Sequence, residues 1–188
     1  TNMGIYRGGT DILKFVTAGT DAITIDASQG VTLAGNLDVS SGTIKLDGNY
    51  PTGTDNVALG NTALDDGSLS GGFNTAIGAS ALSANTSGSQ NVAVGRTSLT
   101  TNSTGSDNTA VGMQALQQNA TGSNNTGIGS QALLVNTASN NTAVGYRSMA
   151  STTTGGNNVS IGYQALTANT TGTDNTVVGK GAGDSITC

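Results

Sequence analysis

The sequence predicts an all-β fold in which the chain winds into a repetitive parallel β-roll, or β-solenoid. A pentamer of the form Asn-x-small-aliphatic-Gly occurs eight times, and the steps between successive starting positions are 18, 17, 17, 17, 16, 17 and 17. A period this regular is typical of a solenoid in which each repeat forms one coil. The pentamers are NVALG (56–60), NTAIG (74–78), NVAVG (91–95), NTAVG (108–112), NTGIG (125–129), NTAVG (141–145), NVSIG (158–162) and NTVVG (175–179).

The amino-acid composition also favours strands over helices. Charged residues make up 9% and aromatic residues 3% of the 188 residues, and Glu, His and Trp are absent from the sequence. Thr and Val suit strands, whereas the abundant Asn and Gly suit tight turns. The net charge is −5 and the basic residues are dispersed. We therefore do not expect the protein to bind nucleic acid, because phosphate binding needs clustered cations. No apolar run is long enough for insertion into a membrane.

Residues 1–54 lack the period of the repeat and are predicted to form a separate β-rich shaft or collar. The segments AITID, VTLAGNLDV and TIKLD alternate in polarity and are separated by Gly, Ser and Asn, which is typical of short strands. We place the boundary near Tyr50-Pro51-Thr52-Gly53, because Pro removes a ladder donor and Gly lets the chain bend. Residues 55–188 then form the β-roll domain of eight coils.

Within one coil, the pentamer is predicted to form a strand that divides inside from outside. Thr109 and Val111 face one way and Ala110 the other, because side chains alternate along a strand. We expect Ala115-Leu116 to begin a second short strand, so that the coil is a flattened two-strand loop with an interior sized for Ala and Gly. The recurring Asn residues should stack as a ladder along the roll.

The aliphatic residue of each pentamer should form a continuous stripe along the roll. An exposed stripe of this length normally marks an interface, so we expect a homotrimer with the stripe near its axis. The alternative is a monomeric solenoid that buries the stripe inside. The trimer or core stripe consists of Leu59, Ile77, Val94, Val111, Ile128, Val144, Ile161 and Val178.

No catalytic, cofactor or metal site is predicted, and we do not expect an enzyme. Without His or Glu, acid–base chemistry would need paired Asp residues, and the adjacent Asp65-Asp66 is interpreted as a turn. Repeated Asp-Asn steps could suggest calcium, but Phe73 and Gln90 take the Asp position in other copies, so the oxygen cage is incomplete. The lone Cys188 is interpreted as an incidental thiol.

If the roll binds a ligand, the contacts should come from the two variable residues that follow each pentamer Gly. These positions lie at the bend, and amphipathic side chains there would favour binding. The alternative is that they are solvated turn residues of a spacer. The candidate outward-facing contact residues are Arg96, Met113, Tyr146, Arg147, Tyr163 and Lys180.

The unit around Thr109-Ala110-Val111-Gly112 resembles the head repeat of trimeric autotransporter adhesins, N-S-V-A-I-G-x-x-S, and Ser98 and Ser148 match its final serine. That family forms left-handed parallel β-rolls that trimerise through the aliphatic strand, although its repeat is shorter than the repeat of this chain. The longer unit is similar to repeat arrays in bacteriophage tail fibres and other phage structural proteins, and residues 4–39 resemble the strand-rich shaft upstream of such arrays.

The resemblance implies a trimeric virion fibre protein that supports or provides attachment to a host cell. Its expected partners are further copies of the chain, other virion proteins, and a host-cell receptor or glycan. One alternative is a trimeric adhesin head on a bacterial cell surface. A second is an ice-binding β-solenoid, because rows of Thr along stacked coils also occur in such proteins.

Overall fold

A computed structural model describes residues 55–184 and the backbone of four strands near the N-terminus, within residues 3–7, 13–17, 20–25 and 31–33. The chain divides into two compact units, Thr1–Lys45 and Leu46–Cys188. The predicted boundary at residues 50–53, the predicted strand TIKLD and Cys188 lie outside the described residues.

The N-terminal unit contains a four-stranded antiparallel sheet. Its strands β1 (Met3–Arg7), β2 (Leu13–Thr17), β3 (Thr20–Ile25) and β4 (Val31–Leu33) are neighbours in chain order. The register of β2 against β3 shifts between Phe15 and Val16. The predicted strand AITID falls within β3, apart from its last residue, and β4 begins the predicted segment VTLAGNLDV. The role of this unit as a shaft stays a prediction.

The second unit contains an eight-stranded parallel sheet to which each coil contributes one strand. The predicted β-solenoid and its coil length are therefore confirmed. Equivalent pentamer positions pair along the sheet, as in Val94 with Val111 and Val111 with Ile128. The described residues contain no helix. The strands are β5 (Val57–Leu59), β6 (Thr75–Ile77), β7 (Val92–Val94), β8 (Thr109–Val111), β9 (Thr126–Ile128), β10 (Thr142–Val144), β11 (Val159–Ile161) and β12 (Thr176–Val178).

Hydrogen bonding between coils continues beyond the strands. The backbone N–H of Leu99 donates to the carbonyl of Ala115 over 3.0 Å, and the N–H of Leu116 donates to the carbonyl of Ala132 over 2.9 Å. Backbone groups of the turns are thus satisfied by the adjacent coil, as buried polar groups require. This pairing lets a coil have only one short strand and still stack regularly.

The predicted second strand at Ala115-Leu116 is wrong. These residues lie in consecutive turns, in which the N–H of Ala115 donates to the carbonyl of Gly112 over 3.3 Å and that of Asn119 to the carbonyl of Leu116 over 3.1 Å. Leu116 has a φ of 51°, in the left-handed region that costs a residue with a Cβ roughly 1–3 kcal/mol. Its side chain is fully buried, which contributes a similar amount, roughly 1.5–3 kcal/mol.

The core of the roll consists of small strand residues and larger turn residues. Ala110, Ala115 and Leu116 are all fully buried, so the inward orientation of Ala110 is confirmed. The interior is wider than the predicted space for Ala and Gly, because seven coils also place a Leu or Met side chain there. These side chains are Leu64, Leu82, Leu99, Leu116, Leu133, Met149 and Leu166.

Candidate interaction surfaces

The aliphatic stripe lies on the outside of the roll. Val111 is 36% exposed and Val178 67% exposed, whereas the neighbouring Ala110 is fully buried. Val94 and Val144 are half-buried, and the other stripe residues are exposed. The alternative of a solenoid that buries the stripe in its own interior is therefore wrong, and the stripe is not part of the core of the chain. Side chains alternate along a strand, so the inward position of Ala110 requires Val111 to face outward.

A second column shares the outer face with the stripe. It comprises the first residue of each strand, which is Thr in five coils and Val in three. Thr109 is half-buried beside the exposed Val111, and the same pattern recurs at Thr126 and Ile128. Neighbouring coils in a parallel sheet are ~4.8 Å apart. The outer face is thus a regular array of Thr or Val beside a branched aliphatic residue.

A ladder of buried Asn residues holds this face in register. The side-chain oxygen of Asn91 accepts a hydrogen bond from the backbone N–H of Asn108 over 3.0 Å, and Asn108 accepts likewise from Asn125 over 3.0 Å. The Nδ2 of Asn108 also donates to the carbonyl of Gly122 over 2.9 Å. The predicted Asn ladder is confirmed, and it joins the strand of each coil to the turn that closes that coil.

A second Asn ladder is interrupted near the shortest spacing between pentamers, the step of 16 residues from Asn125 to Asn141. The Nδ2 of Asn102 donates to Asn85 over 3.0 Å and that of Asn119 to Asn102 over 3.1 Å. The Oδ1 of Asn119 is buried and has no partner among the described residues, while Asn136 accepts from Asn141 instead, over 3.0 Å. The coil that begins at Asn125 and ends at Asn140 is one residue shorter than its neighbours. This break in the period coincides with the break in the ladder.

The first residue after each pentamer Gly forms a third column, which we call the outer column. Of the candidate contact residues, Arg96, Met113, Tyr146, Tyr163 and Lys180 are exposed and belong to it. The outer column consists of Asn61, Ala79, Arg96, Met113, Ser130, Tyr146, Tyr163 and Lys180.

The second residue after the Gly is held closer to the roll than the outer column. Arg147 at this position is half-buried with a φ of 54°. Gln114 and Gln131 are also half-buried, and the Nε2 of Gln131 donates to the Oε1 of Gln114 over 2.9 Å. We expected both variable residues to point outward, but these three side chains lie partly against neighbouring residues.

The pentamer Gly sets the close approach of the coils at the start of the outer column. Gly112 has a φ of 130°, and a Cβ there would lie 2.6 Å from the carbonyl carbon of Gly129 in the next coil. Only Gly combines this conformation with such an approach. The strand therefore ends sharply at this residue, and the next side chain begins the outer column.

Tyr146 and Tyr163 are stacked on each other in the outer column. Their ring centroids are 5.4 Å apart with an interplanar angle of 25°. The Nζ of Lys180 lies 5.8 Å from the centroid of Tyr163, within cation–π range. The two tyrosine residues are 41% and 48% exposed, so one aromatic and cationic ladder spans three coils at the surface. Sequence reasoning selected all three residues but did not predict their stacking.

No protein-family model, curated protein or solved structure matches this chain. The β-solenoid assignment therefore rests on the repeat and on the structure.

The cations beside the tyrosine ladder have no acidic partner within the described part of the chain. Arg147 follows Tyr146 directly, and its Nε is buried without a hydrogen-bond partner among these residues. Lys180 is exposed and contacts the ring of Tyr163. Two of the three basic residues in the range 55–184 thus lie on coils that carry or adjoin the stacked tyrosines.

The acidic residues of the roll occupy turns. Asp107 precedes the pentamer Asn with a φ of 59°, and Phe73 and Gln90 adopt the same left-handed conformation at 61° and 59°. Asp66 accepts hydrogen bonds from the hydroxyl and the backbone N–H of Ser68. The hydroxyl lowers the pKa of this carboxyl most, and the N–H lowers it further.

In the part of the chain that the structure describes, no three His, Cys, Asp or Glu side chains lie together as a metal site would require. The described segments also lack any helix suited by length and apolar character to crossing a membrane.

Proposed function

We propose that the chain is a segment of a structural fibre protein that assembles as a homotrimer through the aliphatic stripe. The observation that carries this proposal is the outward position of the same aliphatic residue in every coil. Soluble monomers rarely expose a continuous apolar surface, and an exposed one usually marks an interface. The resemblance of the repeat to trimeric adhesin heads and phage fibres supports the same assembly.

The energetics favour association along the whole stripe over a contact at one coil. Burying the remaining exposed area of one Val or Ile contributes roughly 1 kcal/mol, so eight contribute on the order of 8 kcal/mol per chain. Association costs roughly 4–15 kcal/mol in lost translational and rotational freedom. A single coil falls short of that cost, whereas the gain from an array of coils in register lies within its range. Repetition would thus supply both the length and the assembly energy of the fibre.

In this proposal the roll extends from a virion and supports or provides attachment to a host cell, without a catalytic step. Its rows of hydrogen bonds between coils suit a stiff spacer. The exposed outer column differs from coil to coil, which suits a surface that carries the specificity of attachment.

The trimer is tested by measuring the mass of the full chain by analytical ultracentrifugation or mass photometry. We expect the mass of three chains for the unmodified protein and of one chain for the double variant Val111→Asp/Ile128→Asp. Ala79→Asp is the matched control, because Ala79 is exposed in the outer column outside the stripe. A unit of monomer mass for the unmodified protein at micromolar concentration would contradict the proposal.

An adhesin head on a bacterial cell surface is the alternative within the same architecture. It predicts the same trimer, so mass measurements do not separate the two. The residues that accompany this segment in the full-length protein do, because a coiled-coil stalk and a membrane anchor would favour the adhesin.

An ice-binding solenoid is the second candidate, favoured by the regular Thr column beside the stripe. It needs this face to be free in solution, whereas the trimer covers it. Val57, Val92 and Val159 interrupt the Thr column, which weakens a repeated hydroxyl pattern. An ice-recrystallisation assay tests it, with Thr109→Lys/Thr126→Lys as the variant. Absence of inhibition by the unmodified protein would eliminate this function.

A further inference from the structure

We propose that the ladder of Tyr146, Tyr163 and Lys180, together with Arg147, binds an acidic saccharide through a ring face and a carboxylate. This proposal rests on the attachment role proposed above and names the class of ligand that the fibre recognises.

The tyrosine pair is a preformed platform. The range 55–184 contains three aromatic side chains, and two of them are stacked in adjacent coils with centroids 5.4 Å apart. Tyr has few rotatable bonds, so a stacked and partly exposed pair offers contact area at low entropic cost. Nothing in the repeat requires aromatic residues here, because the same outer-column position is Ala79 in one coil and Ser130 in another.

The outer-column position that precedes Tyr146 carries the small residue Ser130, which leaves room for a ligand ring. One face of Tyr146 stacks on Tyr163, so its other face points away from Tyr163, toward the coil that carries Ser130. Ser130 is small, and the next residue of the outer column is the exposed Met113. Met113 and Tyr146 are separated by two coil steps, or about 9.6 Å at the usual strand spacing. A sugar ring in van der Waals contact with both fits this separation.

The charges select an anionic ligand. Lys180 contacts the ring of Tyr163, and Arg147 follows Tyr146 in the chain. The Nε of Arg147 has no hydrogen-bond partner among the described residues. A guanidinium can bind a carboxylate through paired hydrogen bonds, and an ammonium adds a point charge. A neutral sugar would use the rings but leave both cations unmatched.

An acidic saccharide fits these features better than a nucleic acid. Single-stranded nucleic acid also stacks on aromatic rings, but its binding sites follow a positively charged groove. Here the cations are two and the protein carries a net charge of −5, which repels a dense polyanion. A uronic-acid chain combines apolar ring faces with one carboxylate per sugar and has a lower charge density.

Tyrosine fluorescence of the full chain measures binding directly, because the sequence contains no Trp. The probes are a short oligogalacturonide, a neutral galactan oligomer of equal length, and oligothymidylate. We expect saturable quenching by the oligogalacturonide and at least about tenfold weaker binding of the neutral oligomer, a difference of ~1.4 kcal/mol. Equal affinity for the two saccharides, or tighter binding of oligothymidylate, would overturn the proposal.

The matched variants separate a site from general charge attraction. We expect Tyr163→Ala and Lys180→Ala each to weaken oligogalacturonide binding about tenfold, and Tyr163→Phe to retain it, because stacking needs the ring. Arg96→Ala removes an outer-column cation away from the tyrosines and should leave affinity unchanged. An equal loss with Arg96→Ala would show non-specific attraction and overturn the site.

The mass of each variant distinguishes failure of this site from failure of the fibre proposal. None of these substitutions touches the stripe, so each variant should have the same assembly and circular dichroism as the parent. Loss of saccharide binding in a trimeric Tyr163→Ala variant supports the site. Absence of binding by a trimeric unmodified chain overturns the site and leaves the fibre proposal standing.

Discussion

The hydroxyl groups of Ser148 and Ser160 lie 2.9 Å apart and are hydrogen-bonded in the interior of the roll. Ser148 replaces the small turn residue that is Ala115 in another coil, and Ser160 replaces the inward strand residue that is Ala110. Both are fully buried. Another coil has Ser98 at the position of Ser148, and that hydroxyl donates to the carbonyl of Gly95 over 2.9 Å. Ser148 instead supplies the partner of the buried Ser160 hydroxyl, as a buried polar group requires.

The serine pair should show coupling in a double-mutant cycle. Ser148→Ala removes the partner of the buried Ser160 hydroxyl and should destabilise the roll by about 1–3 kcal/mol. Ser160→Ala should cost less, because Ser148 also contacts the backbone carbonyl of Ser160 at 3.1 Å. The double variant should lose less than the sum, with a coupling of about 1 kcal/mol. Urea unfolding followed by circular dichroism measures it, and additive losses would contradict the pairing.

Two glycines in adjacent coils should respond differently to the same substitution. Gly112→Ala forces a Cβ to within 2.6 Å of Gly129 at a φ of 130° and should destabilise the roll by about 3 kcal/mol or more. Gly127→Ala fills the inward strand position that is Ala in other coils, where the nearest atom, the Cγ of Leu116, is 3.3 Å away. Its effect should be below about 1 kcal/mol. Thermal unfolding compares the two, and similar losses would contradict the close approach of Gly112 to Gly129.

Removing one residue of the Asn ladder should be costly. Asn108→Ala leaves the N–H of Asn125 and the carbonyl of Gly122 without their side-chain partner, for a loss of about 2–4 kcal/mol. Asn124→Gly is the control, because Asn124 is an exposed residue with a φ of 59°, which Gly tolerates. The midpoint of urea unfolding is the measurement. A control variant as unstable as Asn108→Ala would show that the ladder is not the cause.

Substitution to Ala should destabilise the chain more at a core residue than at a residue of the aliphatic stripe. Leu116→Ala should destabilise the chain by about 2–5 kcal/mol, because Leu116 is fully buried. Val111→Ala should cost less than about 1 kcal/mol in chains kept monomeric by dilution, since Val111 is partly exposed. Unfolding midpoints of both variants, measured at the same low concentration, test this division. Equal losses would mean that the stripe belongs to the core of each chain.

Asp66 should titrate below the ordinary range for Asp. Ser68→Ala removes the hydroxyl that contributes most to the lowered pKa, so the pKa of Asp66 should rise toward its usual value, while Ser68→Thr should keep it low. Because the folded pKa is lower than the unfolded pKa, the contribution to stability is present above the unfolded pKa and is lost as pH falls through the folded pKa. Carboxyl carbon chemical shifts measured during a pH titration report the pKa. An unchanged pKa in Ser68→Ala would contradict the assigned cause.

Much of the roll could be predicted because its determinants are local. The spacing of the pentamers predicts the coil length, and alternation along Thr109, Ala110 and Val111 predicts which side chain faces inward. The same alternation predicts that the aliphatic stripe lies outside once Ala is inside. Both periods are written in the order of the residues, so they need no knowledge of distant contacts.

The prediction of a second strand at Ala115-Leu116 was wrong for a reason that lies outside the local sequence pattern. Propensity gives Leu little preference for a left-handed backbone, and in isolation that conformation is unfavourable. Stacked coils reverse the balance, because the turn directs Leu116 into the core and its backbone hydrogen-bonds to the neighbouring coils. Only the stacking of coils provides those partners.

The sequence by itself determined the length of a coil, the inward Ala and the outward aliphatic residue. Tertiary structure alone decided that Leu116 fills the interior, that Arg147 is half-buried, and that Tyr146 stacks on Tyr163. The physical reason is that a period specifies which residues recur at one place along the roll. The backbone conformation of a turn and the contacts between side chains one coil apart depend on how the coils pack.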